Sequence, residues 1–360
     1  MENINLEVMP GSLQILTGNN GTGKTRILSN ISSKEKARIK NGSSKYNRLI
    51  CLSGTVFEKY PKPDKDLTKN IKDGYYYFGY KPKNNMFSEI APFRVFISLL
   101  LNNPHGNSKA EIAANLMKEI GFEPKIKLDF RWARNNKEKN IEFDTGVREL
   151  DINNFHSSIQ ELFSIKKPLN EEIIHLSKIY FYKDGGDFQI SDLSSGERVF
   201  LLTILSLCFS IDEHSLILFD EPENSMHPSW QEKITKIACL IFEQYRDTSS
   251  FIIATHSPLV VSSIPNNGNK IINLSEEYGD WEDQSLSGNN SDSILKEHFN
   301  LISARSSEFT EAIQLCLKSL LTDSGSFIEE RERLISMNVN LNKDDPLFDA
   351  YETIMNHEAN

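Results

Sequence analysis

The stretch "GNNGTGKT", Gly18–Thr25, follows the apolar run "LQILTG" and precedes a segment with the apolar spacing of a helix. It fits the pattern G-x-x-x-x-G-K-[ST] at every fixed position. Glycines in such a loop let consecutive backbone N–H groups point at phosphate oxygens, and the N-terminus of the next helix adds positive charge. The stretch therefore predicts a strand, a phosphate-binding loop and a helix that runs from Lys24 toward Lys40.

Two side chains in this loop carry the expected chemistry. Lys24 can reach the β and γ phosphates of a nucleotide, and the Thr25 hydroxyl can ligate Mg²⁺. The alternative is a glycine-rich turn that contains Lys-Thr and binds nothing. We predict that the nucleotide-binding residues of this segment are Asn19, Asn20, Gly21, Thr22, Gly23, Lys24, Thr25 and Arg26.

The stretch "LILFDEPE", Leu216–Glu223, is an apolar run that ends in adjacent carboxylates. In a parallel sheet, the carboxyl ends of the strands border the ligand crevice, so we expect Asp220 and Glu221 there. Asp220 can hold Mg²⁺ through water, and Glu221 can polarise an attacking water molecule. The alternative is a strand that runs into an acidic turn, and the phosphate loop upstream favours the functional interpretation.

A third apolar run, "FIIATHSPLV" from Phe251 to Val260, contains Thr255 and His256 at the end of its strand. A histidine at such a strand tip is placed to contact a γ-phosphate. The alternative is a histidine that only makes structural hydrogen bonds. With Lys24 and Glu221, His256 completes the predicted catalytic group.

The stretch "SDLSSGERVFLLTILSL", Ser191–Leu207, sets two serines, a glycine and a glutamate before a long apolar run. Serine and aspartate side chains cap the free N–H groups at a helix start, so a helix is expected from Glu197 onward. Small hydroxyls and a glycine at a helix N-terminus also make a suitable anion site. The residue types alone leave both interpretations open.

Composition narrows the class of protein. The chain has 360 residues, a formal net charge of -10 and 39% hydrophobic residues, as in ordinary globular proteins. The region Lys34–Arg148 holds 23 Lys and Arg against 13 Asp and Glu, whereas the remainder holds 17 against 37. This basic region is either a surface for the phosphate backbone of DNA or RNA or a solvated Lys-rich insertion.

The apolar runs and the cysteines of the sequence indicate the cellular compartment of the protein. The N-terminus lacks the features of a signal peptide, and we find no apolar run of membrane length. We therefore predict a cytoplasmic protein without membrane contact. Cys51, Cys208, Cys239 and Cys316 lack CxxC spacing and are expected to be buried free thiols.

Strands that alternate with helices imply an α/β fold with a mostly parallel sheet. We divide the chain into an N-terminal part of the core (1–54), an inserted basic lobe of mixed α/β structure (55–175), a C-terminal part of the core (176–275) and a polar loop with C-terminal helices (276–360). The segment Tyr60–Asp73 is predicted to be a loop. The segment "KIYFYKDGGDFQI" is predicted to be a hairpin that turns at Asp184, Gly185 and Gly186.

The phosphate loop, "LSSGE" (Leu193–Glu197), "LILFDEPE" and "FIIATH", in this order, resemble the ABC-type ATPase head, which belongs to the P-loop NTPases. Because its last residue is a glutamate, the motif "LSSGE" resembles the corresponding motif of SMC and RecF-like heads. The segments "DEPENSMHP" and "ATHSPLVV" resemble OLD proteins and the ATPase subunits of anti-phage systems such as Septu. The resemblance implies that Leu193–Glu197 is the signature motif, with Ser194, Gly196 and Glu197 among the nucleotide-binding residues.

The resemblance also implies an assembly. Two copies would face each other head-to-tail about a twofold axis, with ATP and Mg²⁺ between them. Ser194 and Gly196 would then contact the γ-phosphate held by the other copy, and Glu223–His227 would cross to that copy.

Two features depart from the family pattern. The family has a Mg²⁺-contacting glutamine after the strand that follows the first helix, and Leu49–Lys72 contains none. Either Ser53 or a water molecule substitutes for this glutamine, or the coupling between Mg²⁺ and the lobe differs from the family pattern. Residues 1–17 also contain no aromatic side chain that could stack on adenine.

Three functions fit these features. The first is the ATPase subunit of a bacterial anti-phage defence complex, in which an ATP-dependent dimer senses a phage or nucleic-acid trigger and controls a separate nuclease or toxin. The second is a RecF- or SMC-like DNA repair ATPase that acts on DNA directly. The third is an ATP-binding scaffold with little turnover that holds an effector.

Overall fold

The computed structural model describes residues 8–82, 87–103, 107–133, 145–265, 267–275, 281–283, 307–322, 327–337, 339, 341 and 347–357. The chain divides into two compact units, Met1–Asn289 and Asn290–Asn360. The fourfold division made from the sequence is a finer one and stays a prediction. The alternating apolar residues of "INLEV", Ile4–Val8, predict a further strand, and all of it except Val8 lies outside the described residues.

The described residues of the first unit form two sheets. Their strands are β1 (Leu13–Thr17), β2 (Arg48–Ser53), β3 (Tyr75–Phe78), β4 (Lys125–Trp132), β5 (Val147–Asp151), β6 (Ile174–Lys183), β7 (Gly186–Gln189), β8 (Ser215–Asp220), β9 (Ser250–Ala254), β10 (Lys270–Asn273) and β11 (Glu282–Asp283). The central sheet has the order β11-β10-β1-β9-β8-β2-β3, and all of its pairs are parallel except β10 with β11. The predicted α/β fold with a mostly parallel sheet is confirmed.

Among the described residues of the first unit, eight α-helices connect or cover these strands. They are α1 (Lys24–Lys40), α2 (Leu67–Lys72), α3 (Ala91–Asn102), α4 (Asn107–Glu119), α5 (Phe155–Asn170), α6 (Ser195–Ser210), α7 (Pro228–Glu243) and α8 (Pro258–Ser263). Helix α1 packs on β2, β8 and β9, and Leu28 from this helix lies in one buried cluster with Leu218 and Ile252. The predicted start and direction of α1 are confirmed.

The order of the strands positions the site. Every residue of β1, β8 and β9 is buried, because both faces of the parallel sheet are covered. Strand β9 lies between β1 and β8, with Ile253 opposite Ile15 on one side and Phe219 on the other. Since the three strands are parallel, their carboxyl ends meet at one edge of the sheet.

The second sheet is antiparallel, with the order β5-β4-β6-β7. Strands β6 and β7 form the predicted hairpin, and Asp184 and Gly185 have φ angles of 51° and 75°. Two positive φ values in succession are typical of a tight two-residue hairpin turn. The long β6 begins well before the predicted hairpin because it also pairs with β4 along Ile174–Phe181.

The prediction that the whole segment Tyr60–Asp73 is a loop is wrong. Within Tyr60–Asp73, the chain forms α2, because the Asp66 side chain accepts hydrogen bonds from the backbone of Thr68 and Lys69. An aspartate in this position caps a helix, and the Pro- and Lys-rich composition of the segment obscured it.

The second unit contains three helices among its described residues: α9 (Ser307–Thr322), α10 (Phe327–Ser336) and α11 (Phe348–Asn356). They bury a common cluster that includes Phe309, Ile313, Cys316, Leu334 and Ile354. The C-terminal helices expected after the polar loop are therefore present in the described part of this unit. Most of that polar loop lies outside the described residues.

The four cysteines are buried and free, as expected. None of the helices in the described part of the chain combines the length and apolar character that a membrane crossing requires.

Candidate functional site

The phosphate loop connects β1 to α1. Gly23 is the residue before the helix and has a φ of 99°, a left-handed conformation that L side chains rarely adopt. Among the residues that the structure describes, no side chain caps α1, so the backbone N–H groups of its first turn have no side-chain acceptor there. Asn19, Asn20 and Gly21 lie on the exposed side of the loop. These features suit a helix N-terminus that binds an anion.

Lys24 lies under the loop. Its side-chain nitrogen donates to the carbonyl oxygens of Gly18 at 2.7 Å and Asn19 at 3.2 Å. Burial lowers the pKa of Lys24, and the nearby carboxylates of Glu221, Glu223 and Asp220 oppose that shift. The ammonium group therefore stands where it can balance negative charge at the strand ends. The predicted contact Arg26 is exposed one residue beyond Thr25.

Thr25 and Asp220 form the centre of the site. The Thr25 hydroxyl donates to Asp220 Oδ1 at 3.2 Å, and Asp220 is completely buried at the end of β8. Asp220 Oδ2 has no hydrogen-bond partner among the described residues. Burial raises the pKa of Asp220 to about 7, with smaller contributions from Glu221 and Glu223. A hydroxyl beside a buried carboxylate with an unused oxygen is an oxygen donor set that fits Mg²⁺.

Glu221 lies next in the chain and has an unusual backbone, with a φ of 49°. Its N–H donates to Ala254 O at 2.8 Å, which continues the pairing with β9 one residue beyond the end of β8. Gly54, at the end of β2, approaches so closely that an added Cβ would lie 2.1 Å from Glu221 O. Asn224 also donates its side-chain N–H to Gly54 O at 3.1 Å. Gly54 and Asn224 were missing from our predicted site, and the only sequence signal for Gly54 is a glycine directly after a buried strand.

His256 is the third predicted catalytic residue. Its Nδ1 lies 3.5 Å from Glu221 Oε1 and 3.2 Å from Glu223 Oε1. The contact with Glu221 raises the pKa of His256 and lowers the pKa of Glu221. The two side chains thus favour each other's charged forms at the edge of the sheet.

Glu223 was predicted only as part of the segment that crosses to a second copy, and its contact with His256 was not predicted. It is 3% exposed, and its Oε1 accepts hydrogen bonds from Thr255 Oγ1 at 2.6 Å and from His256 N at 2.8 Å. Burial raises the pKa of Glu223. The available signal was the second glutamate of "DEPE", whose neighbours in space cannot be derived from spacing.

The predicted signature residues lie at the start of α6. Ser194 and Glu197 cap this helix reciprocally: Ser194 Oγ accepts from Glu197 N, and Glu197 Oε2 accepts from Ser194 N at 2.9 Å. Lys183 on β6 pairs with Glu197 Oε1 at 2.7 Å. Gly196 lies against the ring of Trp230.

The structure therefore confirms that Ser194 is a helix cap, which was one of the two open interpretations. The hydrogen bonds of this segment lead to β6 and, from Ser195 Oγ, to Ser225 O at 2.9 Å. They do not involve Lys24, Thr25, Asp220, Glu221 and His256, which the structure brings together at the sheet edge.

Ser53 was one substitute considered for the glutamine of the family pattern. It is buried and pairs in register with Asp220 on the neighbouring strand. Its hydroxyl donates to Thr55 O at 2.8 Å and accepts from Thr55 N at 3.2 Å. The hydroxyl hydrogen of Ser53 is therefore already donated within the turn that ends β2.

Comparison with known proteins places the chain beside several relatives. It is 23% identical to protein ea59 of Escherichia phage lambda over 73% of this chain and 49% of that protein. It is 32% identical to the retron Vc95 probable ATPase of Vibrio cholerae serotype O1 biovar El Tor over 25% of this chain and 19% of that protein. The chain thus spans about half or less of the length of these two curated relatives.

A third relative, the lipoprotein-releasing system ATP-binding protein LolD of Buchnera aphidicola subsp. Acyrthosiphon pisum (strain APS), is 24% identical over 74% of this chain and 83% of its own length. The family model described as "AAA domain, putative AbiEii toxin, Type IV TA system" matches residues 79–262, just over half of the chain. The matched residues include Ser194, Asp220, Glu221 and His256. The chain belongs to this AAA-domain family, and its core, with a phosphate loop, an acidic strand end and a histidine at one edge of a parallel sheet, is an ATPase domain of the P-loop class.

Proposed function

We propose that this protein binds ATP with Mg²⁺ and hydrolyses it at the edge of the central sheet. The observation that carries the proposal is the contact of Thr25 with Asp220, beside Lys24 and next to Glu221. Thr25 and Asp220 would hold the Mg²⁺, which would neutralise charge on the phosphate oxygens. The free N–H groups at the start of α1 would bind the phosphates.

Glu221, His256 and Lys24 would each have a separate role in hydrolysis. Glu221 is ionised and lies at the sheet edge, where it can accept a hydrogen bond from a water molecule and orient it toward the phosphorus. His256, with its raised pKa, can donate a hydrogen bond to a γ-phosphate oxygen. Lys24 would exchange its two carbonyl contacts for phosphate oxygens.

A shared site in a dimer is the second part of the proposal. Ser194 is exposed at the N-terminus of α6, and the polar contacts of its segment lead away from the phosphate loop of the same chain. The helix N-terminus would then bind the γ-phosphate of a second, head-to-tail copy, so that ATP binding closes the pair. Hydrolysis would open it again.

The biological role we propose is defence against phage. The retron relative is named a probable ATPase, and the family description includes a putative AbiEii toxin and a toxin–antitoxin system. These names support an ATPase subunit whose ATP-driven dimer responds to a phage or nucleic-acid trigger and controls a separate nuclease or toxin. Among anti-phage defence systems, we assign this protein more closely to the Septu-like and OLD-like systems.

Direct contact with DNA or RNA is the second candidate function. Lys59, Lys62 and Lys65 are exposed in the described part of the basic region Lys34–Arg148. Replacing them together should weaken nucleic-acid binding and reduce its dependence on salt concentration, because each phosphate contact releases counterions. Binding that does not change with salt would exclude this function.

Turnover of Glu221→Gln tests the proposed reaction. We expect the variant to bind ATP within about threefold of the wild type, to lose at least about 100-fold in kcat, and to accumulate as an ATP-bound dimer. Glu232→Gln, which removes a partly exposed carboxylate paired with Lys236 on α7, is the matched control and should leave kcat unchanged. Wild-type hydrolysis by Glu221→Gln would exclude the assigned role. Negligible turnover in the wild-type protein itself would favour the scaffold.

A further inference from the structure

Two separate hydrogen-bond links join the histidine turn, Thr255–Ser257, to the segment Glu223–His227 that follows the acidic pair. In the first link, Glu223 Oε1 accepts from both Thr255 Oγ1 and His256 N, at 2.6 and 2.8 Å. The same oxygen lies 3.2 Å from His256 Nδ1. One carboxylate oxygen therefore contacts the backbone and the ring of His256 as well as the side chain before it.

The second link passes through Gln231 of α7. Ser257 Oγ donates to Gln231 Oε1 at 2.6 Å, and Gln231 Nε2 donates to Met226 O at 3.1 Å. Gln231 thus bridges the residue after His256 to the middle of the segment Glu223–His227. The amide group suits this bridge because it can accept on one side and donate on the other.

The segment has a third contact, toward α6. Ser195 Oγ donates to Ser225 O at 2.9 Å, and Ser225 has a φ of 58°, uncommon for a non-glycine residue. His256, the segment Glu223–His227 and the N-terminus of α6 are therefore connected in series by hydrogen bonds.

Packing alone gives no reason for a carboxylate at position 223. Glu223 is nearly completely buried, and its Oε2 has no hydrogen-bond partner among the described residues. An apolar side chain of similar size would avoid the desolvation cost of this carboxyl group. Glu223 Oε1 instead accepts from the turn that orients His256, which is the kind of outer contact that fixes the direction of an active-site imidazole.

We propose that Glu223 is a positioning residue for His256, and that Glu223 and Gln231 make His256 and the segment Glu223–His227 move as one unit. A change in the contact between His256 and the γ-phosphate is then transmitted to Ser225 and on to the start of α6. The proposal rests on the proposed function, because it requires His256 to act on bound ATP.

A double-mutant cycle on the full chain tests this inference. The variants are Glu223→Gln, His256→Ala and the two combined, with kcat and the Kd for ATP measured for each. We expect Glu223→Gln to lower kcat at least about tenfold and to change the Kd less than about twofold. If Glu223 acts through His256, the double variant is no slower than His256→Ala. Multiplied effects of the two single changes would overturn the inference.

A second pair keeps the test decisive if Glu223→Gln does not fold. Thr255→Val removes one hydrogen bond to Glu223 and leaves the carboxylate in place, whereas Thr255→Ser retains the hydroxyl. Thr255→Val should lower kcat several-fold with unchanged ATP binding, Thr255→Ser should restore most of it, and the Thr255→Val effect should vanish in the His256→Ala background. An equal loss of kcat in both Thr255 variants would contradict the inference.

Glu35→Gln is the matched control for a buried carboxylate. Glu35 is 7% exposed and accepts hydrogen bonds from Arg38 and Ser44, away from the sheet edge. Its replacement should leave kcat unchanged. The two proposals fail separately: full activity of Glu221→Gln removes the proposed reaction, whereas full activity of His256→Ala beside an inactive Glu221→Gln removes only the role of His256 and this inference.

Discussion

The Thr25 hydroxyl and Asp220 Oδ1 lie 3.2 Å apart in a hydrogen bond that joins residues 195 positions apart in the chain. This bond ties the first turn of α1 to the end of β8. It uses one oxygen of Asp220 and leaves the other buried without a partner among the described residues. In the absence of a cation, the ionised carboxylate is therefore a cost to the folded state.

The pH dependence of stability should report that cost. Because burial raises the pKa of Asp220 to about 7, the folded state binds this proton more tightly than the unfolded state. The contribution of Asp220 to the free energy of unfolding therefore falls as pH rises from about 4 to about 7. Asp220→Asn, which keeps an acceptor for Thr25, should be more stable than the wild type in EDTA at pH 7.5, by about 2–4 kcal/mol, with little difference at pH 4.

Urea unfolding at several pH values, with Asp247→Asn as an exposed control, measures this difference. Addition of Mg²⁺ and ATP should stabilise the wild type and have a much smaller effect on Asp220→Asn. A variant that is less stable than the wild type at pH 7.5 in EDTA would contradict our account of the buried carboxylate.

The close approach of Gly54 to Glu221 makes a second prediction. An alanine Cβ at position 54 would lie 2.1 Å from Glu221 O, so the chain around Glu221 has to move. We expect Gly54→Ala to lower the free energy of unfolding by about 1–3 kcal/mol and to lower kcat at least about tenfold, with the Kd for ATP changed less than threefold.

Gly186→Ala is the control for this prediction. Its added Cβ would meet the Phe188 ring at 3.5 Å and Lys183 O at 4.0 Å, both ordinary contact distances. Stopped-flow nucleotide binding and steady-state turnover separate the two effects. If Gly54→Ala turned over ATP like Gly186→Ala, the carbonyl contact would have no role in placing Glu221.

Local patterns in the sequence account for most of the site. Asp220, Glu221 and His256 end apolar runs, and parallel strands bring such ends to one edge, so their meeting could be predicted without a structure. The role of Gly54 could not, because it depends on how closely β2 and the end of β8 approach after folding. The contact of Glu223 with His256 was also not predicted, since a carboxylate after a strand is usually a solvated turn residue.

Ser194 shows a different limit of the sequence. A serine at a helix start is expected both for a cap and for an anion site, because both use the same free N–H groups. The structure confirms the cap, and it leaves the exposed N-terminus of α6 as the surface on which the second role depends.

Glu197 should make the cap of α6 dependent on pH. Burial opposes ionisation of Glu197, yet hydrogen bonds from Lys183 and Ser194 lower its pKa below the usual value. A lowered pKa means that the stabilisation is complete above the ordinary glutamate pKa and is lost as pH falls through the folded value. Glu197→Gln should therefore cost about 1 kcal/mol at pH 7 and progressively less below pH 4.5, as measured by chemical unfolding. A cost that is independent of pH would contradict this.

Substitutions at Ser194 separate the cap from the proposed contact with a second copy. Ser194→Arg should spare ATP binding within about twofold, and it should abolish ATP-driven dimerisation and lower kcat at least about tenfold, because the long side chain fills the shared surface. Ser194→Asp keeps a capping oxygen and sets a negative charge against the γ-phosphate, so dimerisation should be lost. Its free energy of unfolding should fall below the wild type's, because the new carboxylate replaces a hydroxyl that donates to Glu197 Oε2 at 2.8 Å. Ser194→Ala should lose about 1 kcal/mol of stability, because it removes the cap of α6.

Light scattering in the presence of ATP, with each Ser194 variant placed in the Glu221→Gln background, measures dimerisation. If Ser194→Asp dimerised and turned over ATP normally, Ser194 would be a cap alone and the ATP site would belong to a single copy.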